Sequence, residues 1–401
     1  MSTTAMETTT VTTTQANGNG NGAPHITVKA VAQPEFPDVK TIKDAIPAYC
    51  FVPSTWRSMG HLAKDFAMAG SFMWAGATYI PQIEDYYLRF AAWCVYGYVQ
   101  GLLGTGLWIL AHECGHGAFS VHPRLNDFVG WFTHSVLSVP FFSWKFSHHR
   151  HHNNTGHMKK DMVFVPPTKE QRKASPFNWE LVEDVPIVNL LKLIVHQLGG
   201  FQLYLLFNVT AGSESVQKKN TSIFRRSHFD AWSSVFRPKE AIFILLSDLG
   251  LALTWTAVYF GAQQVGWSNM FLLYVVPYLW VHHWLVAITY LHHTHPDVPH
   301  YDENGWSYVK GALATIDRDF GFIGRYVFHG IIETHVVHHL FPRIPFYYAD
   351  EATEAIAKLL GPLYYRDDRS FIAQLWSTFN TCNYVENDPA QPGTLKWAKK
   401  A

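Results

Sequence analysis

Eight histidines of this sequence fall into three groups with a spacing that suits metal binding. Residues three or four positions apart lie next to each other on one face of a helix. The groups are His112 with His116, then His148, His151 and His152, then His335, His338 and His339. Imidazole binds zinc, iron, copper and nickel, so the pattern indicates a metal site without selecting the metal.

The first group also matches a zinc-protease motif. His112, Glu113 and His116 spell H-E-x-x-H, in which two histidines hold zinc and the glutamate is the general base. A catalytic zinc takes three protein ligands, which leaves the other two groups unexplained. Eight imidazoles suit two metal ions of higher coordination number better. A histidine-rich metal transporter, a further alternative, would carry its histidines inside membrane spans.

Carboxylates play a smaller part in the predicted site. A ferritin-like di-iron centre needs Glu-x-x-His on two helices, and only Glu113 with His116 fits that pattern. We therefore expect a site made almost wholly of histidine, with Glu113 accepting the N–H of a ligating imidazole. Asp161, Asp317 and Asp319 lie near the groups in sequence and are weaker candidates for the same role.

Composition points to a membrane protein. The 401 residues carry 31 basic and 31 acidic side chains, so there is no basic excess for nucleic-acid binding. Charged residues make up 15% of the chain, against about 25% in soluble domains, and aromatic residues another 15%. The four cysteines have no C-x-x-C spacing, which is typical of a reducing environment.

Apolar segments long enough to matter for a membrane fall into two classes. A hydrocarbon core of about 30 Å needs about 20 apolar residues in a helix. The predicted spans are residues 66–83, 90–111, 241–262 and 270–291, and the borderline segments are residues 128–144 and 193–211.

The histidine groups decide how the borderline segments are interpreted. A single crossing by 128–144 would separate the first and second groups across the membrane, and one by 193–211 would separate the second and third. If the groups share one site, both segments are interfacial. The sequence thus predicts an all-α integral membrane protein with four transmembrane helices in two hairpins, interfacial helices and a histidine-rich cap.

Charge and composition give the expected orientation and boundaries. Basic residues are frequent between 211 and 241, whereas the connection 263–269 has none, so the positive-inside rule places the cap in the cytosol. Residues 1–35, rich in Thr, Asn and Gly, are predicted to be a disordered tail without a signal peptide. The main domain is expected over 36–388, followed by a C-terminal tail over 389–401.

These motifs resemble those of the membrane fatty acid desaturases. H-E-C-G-H, H-x-x-H-H and H-V-V-H-H occur in that family in the same order and with similar separations. "WILAHECGHGAFS" (108–120), "SWKFSHHRHH" (143–152) and "THVVHHLFPRIPFY" (334–347) resemble the fungal acyl-lipid Δ12 and ω3 desaturases. The three-motif pattern is specific for the superfamily but much less specific for the bond that is oxidised.

The resemblance implies a cofactor, partners and further ligands. It implies two non-haem iron ions, O2 as co-substrate, and electrons from cytochrome b5 and its reductase as separate proteins. It also implies another ligand near the end of the last span, for which we choose His293 over His292 and His295. His329 matches a further family histidine and is a tentative ligand. His149 stands where plant relatives have arginine, but it is off the ligand spacing.

The resemblance also implies an activity and a location. The expected enzyme introduces a cis double bond at the Δ12 and/or ω3 (Δ15) position of C18 acyl chains, converting oleate to linoleate or linoleate to α-linolenate. We favour the group with ω3 and bifunctional enzymes over a strict Δ12 enzyme. A phospholipid-linked substrate in the endoplasmic reticulum membrane is expected, with both termini and the metal site cytosolic. A fatty acid hydroxylase on the same scaffold is the near alternative, and a membrane zinc protease the remote one.

Overall fold

The computed structural model describes residues 35–176, 178–182, 184–218 and 221–398. The predicted tail over 1–35 lies almost wholly outside these residues. From Phe36 onward the described residues belong to one compact unit. Most of them are helical, which confirms the helical prediction.

The helices of the first half of the chain include the two that carry the first and second histidine groups. Their bounds are α1 (Val39–Ala45), α2 (Thr55–Tyr79), α3 (Tyr86–His116), α4 (Pro123–Val136), α5 (Phe141–His152), α6 (Lys169–Lys173) and α7 (Pro186–Phe207). The first two histidine groups therefore lie at the C-terminal ends of α3 and α5.

The second half contains two long apolar helices followed by shorter ones. Their bounds are α8 (Ala241–Val265), α9 (Trp267–Met270), α10 (Val276–His293), α11 (Tyr308–Ala312), α12 (His335–Leu340), α13 (Phe346–Leu360) and α14 (Phe371–Thr381). Two π-helical segments, Phe271–Val275 and Ile323–Val327, precede α10 and α12. Short 3₁₀ turns are Ala48–Phe51, Ile80–Gln82, Trp179–Leu181, Ile223–Arg225, Pro238–Glu240 and Gly361–Leu363.

Short strands connect segments of the second half of the chain. The strands are β1 (His300–Tyr301), β2 (Asp317–Arg318), β3 (Arg366–Asp367), β4 (Val385–Asn387) and β5 (Thr394–Trp397). The antiparallel order β1-β5-β4 forms one sheet, and β2 pairs with β3 in parallel. The predicted domain boundary at residue 388 thus falls between the paired strands β4 and β5, because β5 lies beyond it and pairs with β1 and β4.

The centre of the helical region is the packing of α3 against α10. Glycines on α3 allow the two backbones to approach closely, as small residues commonly do between membrane helices. A Cβ added at Gly101 would lie 2.2 Å from Cβ of Trp280, and one at Gly97 would lie 2.6 Å from Cγ1 of Val276. These contacts leave α3 and α10 in a fixed register, with their histidine-bearing ends on the same side.

Among the described residues, four helices are long and apolar enough to cross a membrane. They are Tyr86–His116, Pro186–Phe207, Pro238–Val265 and Trp267–His293. Three of them contain the predicted spans over 90–111, 241–262 and 270–291. The outward side chains of α8, including Leu249, Leu253 and Phe260, are large, apolar and exposed, as a lipid-facing surface requires.

The first predicted span, 66–83, and the second borderline segment, 193–211, differ from the prediction. The predicted span over 66–83 lies mostly in α2, which ends at Tyr79 before Pro81 and carries Lys64 and Asp65 in its first half. Its uninterrupted apolar part is therefore too short for a hydrocarbon core of about 30 Å. By contrast, α7, predicted to be interfacial over 193–211, has the length and composition of a span.

Candidate metal centre

The ends of α3 and α5 bring the first two histidine groups together. Gly117 follows α3 with φ of 75°, and the N–H of Ala118 bonds to the carbonyl of Glu113, so the helix ends at His116. This is a common helix C-terminus, and it favours glycine because the left-handed conformation strains other residues. Nε2 of His112 and Nε2 of His116 are 3.2 Å apart at this end.

Two groups of imidazoles could each hold a metal ion. In each group, one nitrogen from every member lies within 4.8 Å of those from the others. The first group consists of His112, His116, His148, His152 and His338, and the second of His151, His293 and His339. The structure thus brings all three sequence motifs into one region, with α5 and α12 contributing to both groups.

The two groups are neighbours. The rings of His152 and His339 stack with centroids 4.1 Å apart, which joins the first group to the second. His335 is in neither group, but its Nε2 lies 3.4 Å from Nε2 of His293. His335 is therefore at the edge of the second group rather than apart from the site.

The end of α10 distinguishes the three candidates for a further ligand. Nε2 of His293 is 3.2 Å from Nε2 of His151, so His293 is the member of the second group. Nδ1 of His292 instead lies 2.5 Å from the carbonyl oxygen of Ile316. His295 lies between carboxylates, with Nε2 3.5 Å from Asp367.

Asp161 orients one imidazole of the second group. Its Oδ1 lies 2.7 Å from Nδ1 of His151, and its carboxylate also accepts hydrogen bonds from the N–H groups of Gly156 and Val163. A carboxylate on the second nitrogen fixes the ring and leaves Nε2 as the free donor atom. The predicted role of Asp161 therefore has a specific geometry.

Glu113 occupies a different position from the base of a zinc protease. Oε2 of Glu113 accepts the N–H of Phe346 at 3.0 Å, and Oε1 lies 3.5 Å from Nδ1 of His112. The carboxylate is thus on the side of His112 away from Nε2, and it is buried. This position suits support of His112 and not proton abstraction at an open ligand site.

Three other candidates lie outside the groups. Nε2 of His329 is 2.6 Å from Oδ2 of Asp65 on α2, so this nitrogen already has a partner. His149 is exposed on α5. Asp319 pairs with Arg325 at 3.2 Å at the surface.

Sequence reasoning missed Thr155. Its hydroxyl donates to the carbonyl of His151 at 2.9 Å and lies 3.1 Å from Nδ1 of His339, whose N–H it can accept. Thr155 thus orients His339 much as Asp161 orients His151. Its position four residues after His151 was the available signal, but a hydroxyl side chain at that spacing is too common for the spacing alone to identify Thr155.

The electrostatics of the site fit metal ligands. Burial, reinforced by neighbouring imidazoles, lowers the pKa of His148, His152 and His338 well below the ordinary histidine value. These rings are therefore neutral near pH 7 and offer lone pairs, as metal binding requires. Nε2 of His338 and Nε2 of His339 are buried and have no hydrogen-bond partner among the described residues, so a metal ion would satisfy them.

An apolar cavity of about 210 Å³ reaches the second group. One end is lined by histidines of α5, α10 and α12, including His151, His293 and His339. The walls are formed by α7 and α10, with Phe201, Leu285 and other apolar side chains. The structure therefore joins a compartment suited to a hydrocarbon to the imidazole groups.

Comparisons with known proteins agree with this geometry. The chain is 43% identical over 387 residues to oleate hydroxylase FAH12 of Claviceps purpurea, covering 92% of this chain and 81% of that protein. It is 41% identical over 366 residues to a Delta(12) fatty acid desaturase of Mortierella alpina, covering 88% and 89%. A Delta(12)-fatty-acid desaturase of Arabidopsis thaliana is 41% identical over 350 residues, covering 87% and 88%.

A family model also matches most of the chain. The model of the fatty acid desaturase family matches residues 88–370, a range that contains both imidazole groups and the cavity. The chain therefore belongs to the fatty acid desaturase family and is an oxidoreductase of that family.

Proposed function

We propose that this protein is a membrane acyl-lipid desaturase that introduces a cis double bond at the Δ12 position of C18 acyl chains, with ω3 (Δ15) as a second position. The observation that carries the proposal is the apolar cavity that ends at His151, His293 and His339. The names of the Mortierella and Arabidopsis relatives favour Δ12 over the ω3 preference expected from the motifs alone.

The donor set supports a two-metal cofactor. Five imidazoles in one group and three in the other can each hold one ion, and the family resemblance implies iron. With O2, such an iron pair supplies an oxidant strong enough to take hydrogen from an unactivated methylene, which no acid or base of the protein can do. The overall reaction removes two hydrogens from adjacent carbons and uses two electrons and two protons to convert O2 to two waters.

The protein's own residues hold the ligands and the substrate. Asp161 accepts a hydrogen bond from Nδ1–H of His151, and the Thr155 hydroxyl accepts one from Nδ1–H of His339, so both rings present Nε2 inward. Walls such as Phe201 and Leu285 exclude water and hold a hydrocarbon chain in an extended path to the histidines. The carbon that reacts would be set by the depth to which the chain enters.

The convergence of the motifs supports a single-sided site. If α8 and the helix ending at His293 cross out and back, a full crossing by α7 would separate α5 from α12, yet both supply the same groups. We therefore propose that α7 does not cross the membrane. It would enter the membrane only partly, with both ends on the same side, and form a wall of the cavity. The basic residues between α7 and α8 favour a cytosolic site, and we propose the endoplasmic reticulum as its membrane.

Electrons are proposed to come from cytochrome b5, which works with its own reductase. The exposed His149 follows His148 of the first group directly and lies near Lys145, Arg150 and Arg343. Lys145 is paired with Asp127 and Arg150 with Glu240, so this face carries little net positive charge; we propose it as the approach for the donor because it adjoins the first group.

The test is expression of the full chain in a yeast that lacks polyunsaturated fatty acids. We expect linoleate in cells that supply oleate, and α-linolenate when linoleate is fed, each measured by gas chromatography. The inactive control is the His338→Ala variant, expressed to the same level in the membrane. Normal product from that variant, or no new fatty acid from the natural chain, would contradict the proposal.

A hydroxylase is the second candidate. The specific observation in its favour is the 43% identity to the oleate hydroxylase of Claviceps purpurea. The same oxidant can return oxygen to the carbon from which hydrogen was taken. Hydroxylated C18 acid as the main product in the same yeast experiment would select this candidate over the desaturase.

A further inference from the structure

Two adjacent residues of β2 contact both helices that present ligands from the second half of the chain. The side chain of Arg318 is fully buried, and it donates to the carbonyl of Leu291 from Nε at 3.0 Å and from Nη2 at 2.9 Å. Nη2 also donates to the carbonyl of Thr294 at 3.2 Å. These carbonyls are at the C-terminal end of α10, where helix carbonyls lack partners within the helix. Arg318 thus fixes the end of α10 on which His293 lies.

Asp317 makes the matching contact with α12. Its side chain is also fully buried, and Oδ1 accepts the N–H of Val336 at 2.7 Å, in the first turn of α12. Oδ2 accepts the hydroxyl of Tyr364 at 2.6 Å, which holds the carboxylate in place. A carboxylate that caps first-turn N–H groups is a strong, directional contact. Asp317 therefore fixes the start of α12, which carries His335 and His339.

The preceding residue completes the attachment. The N–H of Ile316 donates to the carbonyl of His292 at 3.1 Å, and the carbonyl oxygen of Ile316 lies 2.5 Å from Nδ1 of His292. His292 is the neighbour of His293 and belongs to neither imidazole group. The contact between its Nδ1 and Ile316 attaches α10 to the residue before β2, while its Nε2 is buried without a hydrogen-bond partner among the described residues.

We propose that Asp317 and Arg318 are positioning residues that set the distance between the ligands of α10 and α12, and so control metal binding at the second group specifically. The inference rests on the proposed two-metal function, and it adds residues that touch no ligand atom. The rings of His293 and His339, the second-group members on these helices, have centroids 4.7 Å apart, so a small relative shift of α10 and α12 would separate their nitrogens.

The two groups depend on this attachment to different degrees. The second group takes His293 from α10 and His339 from α12, so two of its three members lie on the attached helices. The first group takes only His338 from them, and its other four members lie on α3 and α5. Loss of the attachment should therefore empty the second group and leave the first occupied.

The experiment measures metal binding to the purified full chain in lipid nanodiscs. The metal-free protein is loaded with Fe(II) without oxygen, or with Co(II) for its visible absorption, and bound metal is counted after removal of excess. We expect Arg318→Met and Asp317→Ala to lower bound metal from about two ions per chain to about one, through a loss of more than about 10-fold in affinity at the second group.

Conservative and matched variants separate positioning from general damage. Asp317→Asn keeps an oxygen for the N–H of Val336 and should retain about two ions per chain. Tyr364→Phe leaves the carboxylate but removes one of its contacts and should give a smaller loss than Asp317→Ala. The matched control is Asp319→Ala, two residues away at the surface, which should behave as the natural chain.

The outcomes are distinct. Retention of about two ions by both Arg318→Met and Asp317→Ala would overturn the proposal. An equal fall in both groups, with a lower melting temperature of the metal-free protein, would also overturn it by showing a general structural role. Fewer than two ions in the natural chain would instead overturn the proposed two-metal function, whatever the variants do.

Discussion

The two imidazole groups differ in how much each single residue matters. The first group has five members, of which His116 and His148 are only half-buried. The second has three members, all buried. An ion in the first group can lose one ligand and keep four, whereas an ion in the second would keep only two.

The groups also differ in how they are assembled. Four members of the first lie on α3 and α5, which are separated by one helix in sequence. The members of the second come from α5, α10 and α12, so it forms only when distant parts of the chain are packed. The second group adjoins the apolar cavity and has two orienting partners, Asp161 and Thr155. The geometry of the second group therefore depends on the packing of helices that are distant in sequence. Its proposed metal binding depends on a small number of residues.

The largest expected effect comes from removing one ligand from each group. We expect both His293→Ala and His116→Ala to lower desaturated product by more than about 100-fold, the first because an ion is lost and the second because the ion that remains has lost one of its ligands. Metal content should differ: His293→Ala should bind about one ion per chain, whereas His116→Ala should keep nearly two. Fatty acid analysis and metal counting on the same membranes measure the two effects.

The control for this pair is His149→Ala, an exposed histidine beside the second motif. It should keep both product and metal. Equal metal loss in the two ligand variants would contradict the difference between the groups, and normal product from either would contradict the shared site.

A smaller effect is expected when an orienting group is changed. Asp161→Asn keeps the size of the side chain but removes the charge that holds Nδ1–H of His151. We expect the affinity of the second group to fall about 10- to 100-fold, with the first group unchanged. Co(II) titration monitored by visible absorption measures this, and the surface variant Asp319→Asn is the control. A loss confined to the first group would contradict the assignment of Asp161 to the second.

The sequence predicted the imidazoles that the structure brings together better than it predicted the residues that hold them in place. Helical spacing identifies His112, His116 and the two H-x-x-H-H motifs, because ligands on one helix have a fixed separation. Thr155 and Arg318 could not be found that way, since their partners lie on other elements far along the chain. The role of Arg318 depends on carbonyls at a helix end, which no residue pattern reveals.

The membrane segments show the same limit. Apolar length identified the helices that contain 90–111, 241–262 and 270–291, because hydrocarbon thickness sets a minimum length. The apolar stretch from residue 66 was misjudged, because its helix begins at Thr55 and ends at Tyr79. The length of α7 was also underestimated, since its first turns from Pro186 contain polar residues.

A moderate effect is expected at Glu113, which adjoins the first group. Glu113→Gln keeps an oxygen for the N–H of Phe346, and the 3.5 Å separation from Nδ1 of His112 is long for a hydrogen bond. We expect product formation to fall by less than about 10-fold, below the usual cost of losing an orienting partner, with metal content unchanged. Complete loss of product would show a direct chemical role for the carboxylate, as in the zinc-protease interpretation.

The smallest effect on the site is expected at His329, the tentative ligand that the structure pairs with Asp65. His329→Gln should leave about two ions per chain, because neither imidazole group includes this residue. It should cost about 1–3 kcal/mol of stability, since buried Asp65 loses its partner at 2.6 Å and, among the described residues, keeps only Lys64 at 3.1 Å. The melting temperature of the metal-free protein measures this cost, and adding Asp65→Asn should recover part of it by removing the buried charge. A fall to about one ion per chain would instead make His329 a ligand and give the first group a sixth member.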